Sequence, residues 1–142
     1  MTSAPAPSVD ARLLTAALAG ALAPAVPAPV RVWSRGAWLC ADAGDGLRAC
    51  TQVWHSSRLA WGGEVAEACT RALDHVQDVV AESTGEVWPP WTGARPGGAS
   101  LPACDAAVEE DRVLLWYGVA ERPVLSLQAI PRAGLTDARA RS

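Results

Sequence analysis

Residues 64–83 read EVAEACTRALDHVQDVVAES, and this stretch decides how the rest of the chain is arranged. Its apolar residues recur every three or four positions, which is the spacing of one helix face. They are Val65, Cys69, Ala72, Leu73, Val76, Val79 and Val80. Glu67 and Arg71 stand on the opposite side at the i,i+4 spacing of an ion pair. Because Gly85 follows as a natural helix stop, we predict an amphipathic helix from about Glu64 to Ser83.

The segment before this helix alternates apolar runs with turn signals. Strands are predicted over residues 30–33, 37–41 and 47–55, and the second and third are joined by a glycine-rich turn at residues 43–46. Three strands joined by tight turns form an antiparallel meander. Further upstream, a shorter helix is predicted to start at the N-cap Ser8, with Asp10 in its first turn, and to end before a proline-rich linker.

The segment after the helix opens with a proline- and glycine-rich loop at residues 86–104. Strands are then predicted over residues 106–109, 112–117 and 124–130. The run Val113–Tyr117 is apolar on both faces, which is typical of a strand covered on both sides. The long helix covers one face, so the other face requires the first helix or a second subunit.

The predicted fold class is α+β, with one antiparallel sheet of five to six strands. The order is helix, three-strand meander, helix, and two- or three-strand meander, with the long helix packed on one face. A chain of 142 residues is the size of one domain. We place that domain at residues 8–130, after a disordered N-terminus at 1–7 and before a flexible tail at 131–142.

This order of elements resembles the small acidic chaperones of type III secretion and the YbjN-like group, in topology and size rather than in motif. Separately, Glu86-Val87-Trp88-Pro89-Pro90 and Leu115-Trp116-Tyr117-Gly118, followed by Pro123-Val124-Leu125, resemble uncharacterised small proteins of high-GC bacteria. The first resemblance implies an α+β domain that binds protein. The second implies no activity.

The charged residues exclude several classes of function. All twelve basic residues are arginines, which removes every mechanism that needs a lysine, such as a Walker-type phosphate loop or a Schiff base. The net charge is −3 and the arginines are spread along the chain. We therefore expect no nucleic acid partner and no membrane partner, since both require a concentrated basic surface.

The four cysteines form no CxxC pair, so their spacing predicts no zinc or thioredoxin-like site. Cys40 and Cys50 bracket the turn: a three-residue loop makes them face each other, and a two-residue loop points them to opposite faces. We expect small buried thiols here rather than a redox switch. The expected location is cytoplasmic, with secretion as the alternative if residues 1–23 are a signal peptide.

Seven tryptophans and no phenylalanine make up an unusual aromatic set. Trp33, Trp38, Trp54 and Trp116 lie in or at the ends of predicted strands and are expected in the core. Trp88 and Trp91 flank Pro89-Pro90 in the long loop. This segment either folds back over the sheet as a lid, which we favour, or offers two rings to a partner. The candidate partner-binding residues are Trp88, Trp91, Trp116 and Leu114.

Other reactive side chains predict no catalytic centre. His75 could meet Asp78 or Glu82 at i+3 and i+7 on the long helix, but such helix-surface clusters are usually solvated. His55 ends a strand beside two serines, so we expect neither histidine to be catalytic or to bind a metal. Cys104 lies near the end of the long loop and is the candidate exposed, reactive thiol, although the sequence places no base beside it. We therefore expect no catalytic residues, no metal site and no cofactor.

The resulting hypothesis is a non-enzymatic protein-binding module, chaperone-like or accessory. It would form a homodimer and hold a protein or peptide partner with an apolar sheet surface and tryptophans. One alternative is a small enzyme or redox protein that uses Cys104 or the histidines. The other is a small-molecule pocket lined by tryptophans.

Overall fold

The computed structural model describes residues 8–44, 48–90 and 101–136. Within them the fold is α+β with antiparallel strands, which confirms the predicted class. The helices are α1 (Ala11–Leu22) and α2 (Gly63–Thr84), and a 3-10 helix spans Arg132–Leu135. The strands are β1 (Ser8–Asp10), β2 (Arg31–Arg35), β3 (Trp38–Asp42), β4 (Arg48–Gln52), β5 (Arg58–Ala60), β6 (Cys104–Val108), β7 (Arg112–Val119), β8 (Arg122–Ser126) and β9 (Ile130–Pro131).

The strands are divided among three sheets rather than joined in one. The first sheet has the order β2-β3-β4, and the second has β6-β7-β8 with β9 also paired to β7. A small third sheet pairs β1 with β5. Each predicted meander therefore exists, but the two do not share hydrogen bonds in the described part of the chain.

The helices lie between the first and second sheets. Helix α2 contacts β6 of the second sheet, β3 and β4 of the first and β5 of the small sheet, whereas α1 contacts β2 and β3 as well as β9. The whole predicted apolar stripe of α2 is buried. The hydroxyl of Tyr117 on β7 donates to the carbonyl of Leu73 on α2 at 2.7 Å, which ties the second sheet to the helix. Each large sheet thus has one face on the core and one face outward.

The ends of the two helices differ in how well local sequence signals define them. Helix α2 agrees with the prediction to one residue at each end, and Gly85 adopts the left-handed conformation at φ +71° that ends it. The predicted start of the first helix at Ser8 is wrong. Asp10 is the N-cap, and its carboxylate accepts from the backbone N–H groups of Arg12 and Leu13. Ser8 belongs instead to β1.

Strand β7 is central in the second sheet, as its apolar sequence predicts. Val113, Leu115 and Tyr117 are buried on the helix side. Leu114 and Trp116 alternate with them on the outer face and are half-buried. The strands that helix α1 contacts most are β2 and β3 of the first sheet and, in the second sheet, β9 rather than β7.

The chain beyond residue 130 continues the domain. Residues 130–131 pair with β7, and the 3-10 helix places Leu135 in the core with no exposed surface. The predictions for residues 1–7 and 137–142, and for the turn residues 45–47, lie outside the described residues. Neither described helix combines the length and the hydropathy needed to cross a membrane.

Candidate binding surfaces

The outer face of the first sheet gathers tryptophans and arginines from three strands. Cross-strand pairing aligns its side chains in three rows. We call this surface the Trp–Arg face; its rows are Arg31–Asp42–Arg48, Trp33–Cys40–Cys50 and Arg35–Trp38–Gln52. Trp and Arg are the residues most enriched at the energetic centres of protein interfaces.

Strand parity explains why these side chains point outward. Val32, Leu39 and Ala41 are buried on the inner face, beside the helices. Because successive side chains alternate between faces, Trp33 and Trp38 must lie on the other side of the sheet. Trp33 is half-buried there, and Trp38 is 47% exposed. The prediction that both belong to the core is wrong, whereas the same prediction for Trp54 is confirmed, because that residue is buried.

The charges on the Trp–Arg face are mainly positive. Arg31, Arg35 and Arg48 are exposed, and Asp42 is the one carboxylate among the described residues of the three rows. Arg31 approaches Asp42 at 3.3 Å, and the Gly44 backbone N–H also donates to this carboxylate. The Arg48 guanidinium lies 5.5 Å from the centre of the Trp33 ring.

A cleft opens at one end of this face. It has a volume of about 570 Å³, and its walls include Arg31, Trp33, Asp42 and Arg48. An approaching partner therefore meets arginine donors beside the flat surface of an aromatic ring. Because its two guanidinium groups outnumber the one carboxylate of Asp42, the cleft favours an anionic group over a neutral one.

A disulfide joins Cys40 to Cys50 in the middle row of the face. The two residues are directly opposite in the ladder, with their Cα atoms 4.0 Å apart. Of the two predicted arrangements, the structure therefore has the one in which the cysteines face each other. The expectation that both remain thiols is wrong, because this register brings the two sulfur atoms together. Cys40 is buried and Cys50 is exposed.

The outer face of the second sheet carries a different surface, which we call the apolar groove. Its volume is about 350 Å³, and its walls include Ala107, Leu114, Trp116, Pro123, Ser126 and Leu127. Two predicted partner-binding residues, Leu114 and Trp116, thus lie together here. The indole nitrogen of Trp116 is buried and has no hydrogen-bond partner among the described residues. Trp116 is half-buried rather than in the core.

The predicted Trp-Pro-Pro-Trp segment folds back at its first ring. Trp88 is buried and meets Tyr117 edge-on, with ring centres 5.0 Å apart. This geometry agrees with the lid that we favoured and removes Trp88 from the surface. Trp91 lies outside the described residues.

The two free cysteines are poorly suited to nucleophilic chemistry. The Cys104 thiol donates to the Thr70 carbonyl at 3.7 Å. Burial, followed by the nearby charges of Asp74, Asp105 and Asp78, raises the pKa of Cys104 to about 11. Burial alone raises the pKa of Cys69 to about 12. Both remain protonated at neutral pH, so this environment gives no support to a reactive thiol at Cys104.

The two histidines have different surroundings. His75 on α2 is half-buried, and its Nε2 lies 3.1 Å from the Ala49 carbonyl of β4. It therefore connects the helix to the first sheet. His55 is exposed and packs against the Trp54 ring at 4.5 Å between ring centres. Within residues 8–44, 48–90 and 101–136, no three acidic, histidine or cysteine side chains are grouped as metal ligands would be.

No protein-family model, curated protein or solved structure matches this chain. The resemblances to type III secretion chaperones, to the YbjN-like group and to small proteins of high-GC bacteria therefore stay predictions. The sequence could not locate the Trp–Arg face, because that requires the register of three strands. The signal that pointed toward it was the alternation of Arg31, Trp33 and Arg35 along one strand.

Proposed function

We propose that this protein is a non-enzymatic protein-binding module that holds an acidic segment of a partner polypeptide on the Trp–Arg face. The observation that carries the proposal is the clustering of Trp33, Trp38 and three arginines on one outward surface. An exposed tryptophan gains free energy when a partner covers it, since it buries a large area with few rotatable bonds. Trp38 is the more exposed of the two tryptophans, so covering it with a partner should gain the most free energy.

The charge of the face indicates the chemistry of the partner. Three exposed arginines are opposed by one aspartate, which Arg31 already pairs. Arg35 and Arg48 are therefore available to carboxylates, which a guanidinium can bind through two parallel hydrogen bonds. Because these groups are exposed, we expect them to contribute mainly to partner selection and association rate.

The dimensions of the face suit a short extended segment. Three strands of five residues cover about 10 Å by about 17 Å. Three arginines are few for a nucleic acid partner, whose affinity depends on neutralising many phosphates. In an extended polypeptide every second side chain points to the same face. A segment whose acidic and apolar residues both occupy such every-second positions places carboxylates on the arginines and apolar groups on the tryptophan rings.

The test is a binding titration with a short, fluorescein-labelled peptide in which every second residue is in turn glutamate or leucine and the residues between them are serine, so that glutamate and leucine share one face of the extended chain. The control peptide has lysine in place of glutamate. We expect the acidic peptide to raise the fluorescence anisotropy and the lysine peptide to leave it unchanged. The affinity for the acidic peptide should fall as salt is added, because salt screens exposed charges.

Two variants locate the binding site. Trp38→Ala should weaken binding at least about tenfold, which is the usual effect of removing an interface tryptophan. Val119→Ala is the matched control, since Val119 is 58% exposed on the second sheet. Equal binding of both peptides, equal loss in both variants, or tighter binding of single-stranded DNA than of the acidic peptide would overturn the proposal.

A chaperone-like or accessory role and a homodimer belong to the same proposal. The free outward faces of both large sheets support it, because each offers a surface that no described helix covers. Sedimentation velocity at two protein concentrations tests the homodimer. A concentration-independent monomer would contradict it without affecting the acidic-peptide test.

A further inference from the structure

The disulfide stands at the centre of the Trp–Arg face. Its row in the ladder is Trp33–Cys40–Cys50, so it lies directly beside a tryptophan ring. The neighbouring rows carry Arg48 on one side and Trp38 on the other. The covalent bond therefore links the two strands, β3 and β4, that carry these two groups.

Strand β4 has few other attachments that hold its outer side chains in place. It is an edge strand that pairs only with β3 among the described strands. On its inner side, the Ala49 carbonyl is held by His75. The outward positions Arg48, Cys50 and Gln52 are all exposed. The contact of Arg48 with the Trp33 ring is non-covalent, so the disulfide is the covalent attachment of β4 on the side on which a partner would bind.

We infer that the Cys40–Cys50 disulfide is a redox switch for the Trp–Arg face: the oxidised pair holds the face ready for an acidic partner, and reduction releases β4 and lowers its affinity. This inference rests on the proposed function. The physical reason is preorganisation, because a surface that is already fixed loses less conformational entropy when a partner binds. An edge strand held by backbone hydrogen bonds alone opens more readily than one with a covalent link.

The exposure of the two sulfur-bearing residues sets the order of the chemistry. A thiolate of a dithiol reductant attacks Sγ of Cys50, the more exposed residue of the pair, forms a mixed disulfide and expels Cys40 as a thiolate, which takes up a proton. In the mixed disulfide, Cys50 is bonded to the first sulfur of the reductant. The second sulfur of the reductant, as a thiolate, attacks that first sulfur and expels Cys50 as a thiolate, which also takes up a proton. Two electrons pass to the protein, and the reductant leaves as its own disulfide.

The other cysteines do not compete in this exchange. Cys69 is buried in α2. Burial raises the pKa of Cys104 to about 11, so little thiolate is present there to attack the disulfide. The exchange is therefore confined to the pair that spans the binding surface.

The experiment compares the full chain in its oxidised form and after reduction with a phosphine reductant, using the glutamate–leucine peptide as the probe. We expect the reduced protein to bind about tenfold more weakly. Reoxidation should restore the original affinity. Hydrogen exchange should be faster after reduction at the Ala49 and Thr51 amides of β4, and unchanged at Leu115 of β7. This readout shows that the reduced protein is still folded.

Two variants complete the test. Cys40→Ser/Cys50→Ser should bind weakly with or without reductant, and Cys104→Ser should keep the full response to reduction. Equal affinity of the oxidised and reduced proteins for the acidic peptide would overturn the switch while leaving the proposed function intact. Failure of both forms to bind the peptide would overturn the proposed function and, with it, the switch.

Discussion

The outer faces of the first and second sheets have the same place in the architecture but opposite surface chemistry. Each belongs to an antiparallel meander whose inner face packs on the helices. The Trp–Arg face carries three exposed arginines and a disulfide, whereas the apolar groove is lined mainly by aliphatic side chains around Trp116. The difference teaches that outward exposure alone does not define a site. The charge of a face favours one class of partner over another, and three arginines against one aspartate give the described residues of the Trp–Arg face a net positive charge.

The largest expected effect separates the two faces of β7 in the second sheet. Leu115 is 2% exposed on the core side, so Leu115→Ala should lower the free energy of unfolding by about 2–5 kcal/mol. Leu114 is half-buried on the groove side, so Leu114→Ala should cost about 1 kcal/mol or less. Urea denaturation of both variants measures the difference. Equal losses would mean that the groove is as tightly covered as the core.

The second prediction concerns the pH dependence of alkylation at Cys104, the free cysteine of the second sheet; the two cysteines of the first sheet are joined in the disulfide. With a pKa of about 11 instead of its ordinary 9.0, Cys104 should be alkylated about a hundredfold more slowly at pH 8 than an unburied thiol. Its rate should rise with pH toward 11. The pKa of Cys104 is higher in the folded protein than in the unfolded chain. The contribution of Cys104 to the free energy of unfolding is therefore fully present below pH 9 and is lost as the pH rises toward 11.

Alkylation followed by mass spectrometry checks this prediction on the oxidised protein. In that form Cys40 and Cys50 are blocked by their disulfide, so any early label reports Cys104. Denatured protein provides the reference rate. Rapid labelling of the folded protein at pH 8 would contradict the raised pKa and would restore Cys104 as a reactive thiol.

The smallest expected effect concerns single charges on the two sheets. Arg35→Gln on the Trp–Arg face should lower the affinity for the acidic peptide by about three- to fivefold, since an exposed charge contributes below about 1 kcal/mol. The affinity of this variant should also depend less on salt. Arg122→Gln on β8 is the matched control, because Arg122 is also exposed but belongs to the second sheet. A similar loss in both variants would indicate attraction by the whole protein rather than by one face.

The sequence predicted the parts of the fold that local patterns determine. Helix α2 has a regular apolar stripe and a glycine stop, so its range was correct to one residue at each end. Strands β1 and β5 have three residues each and exist only through pairing between positions about fifty residues apart. No local pattern marks such strands. The start of α1 was misplaced because Ser8 and Asp10 are both good caps, and the pairing of β1 decides between them.

The candidate site was harder to predict because it depends on register. Whether Trp33 and Trp38 point inward or outward depends on which strand face meets the helices, and apolar residues on both faces leave that choice open. The same register decides that Cys40 and Cys50 meet. Leu114 and Trp116 were found together because strict alternation along one strand already places them on one face.

The contact between His75 and β4 has a practical consequence. Its imidazole joins the helix that is fixed to the second sheet and the strand that carries Arg48, so it sits where the two halves of the molecule meet. Any displacement of that strand must alter the magnetic environment of this ring. The imidazole resonances of His75 are therefore a native spectroscopic reporter that needs no added label, and those of His55, which is exposed and packs on Trp54 instead, are its internal reference.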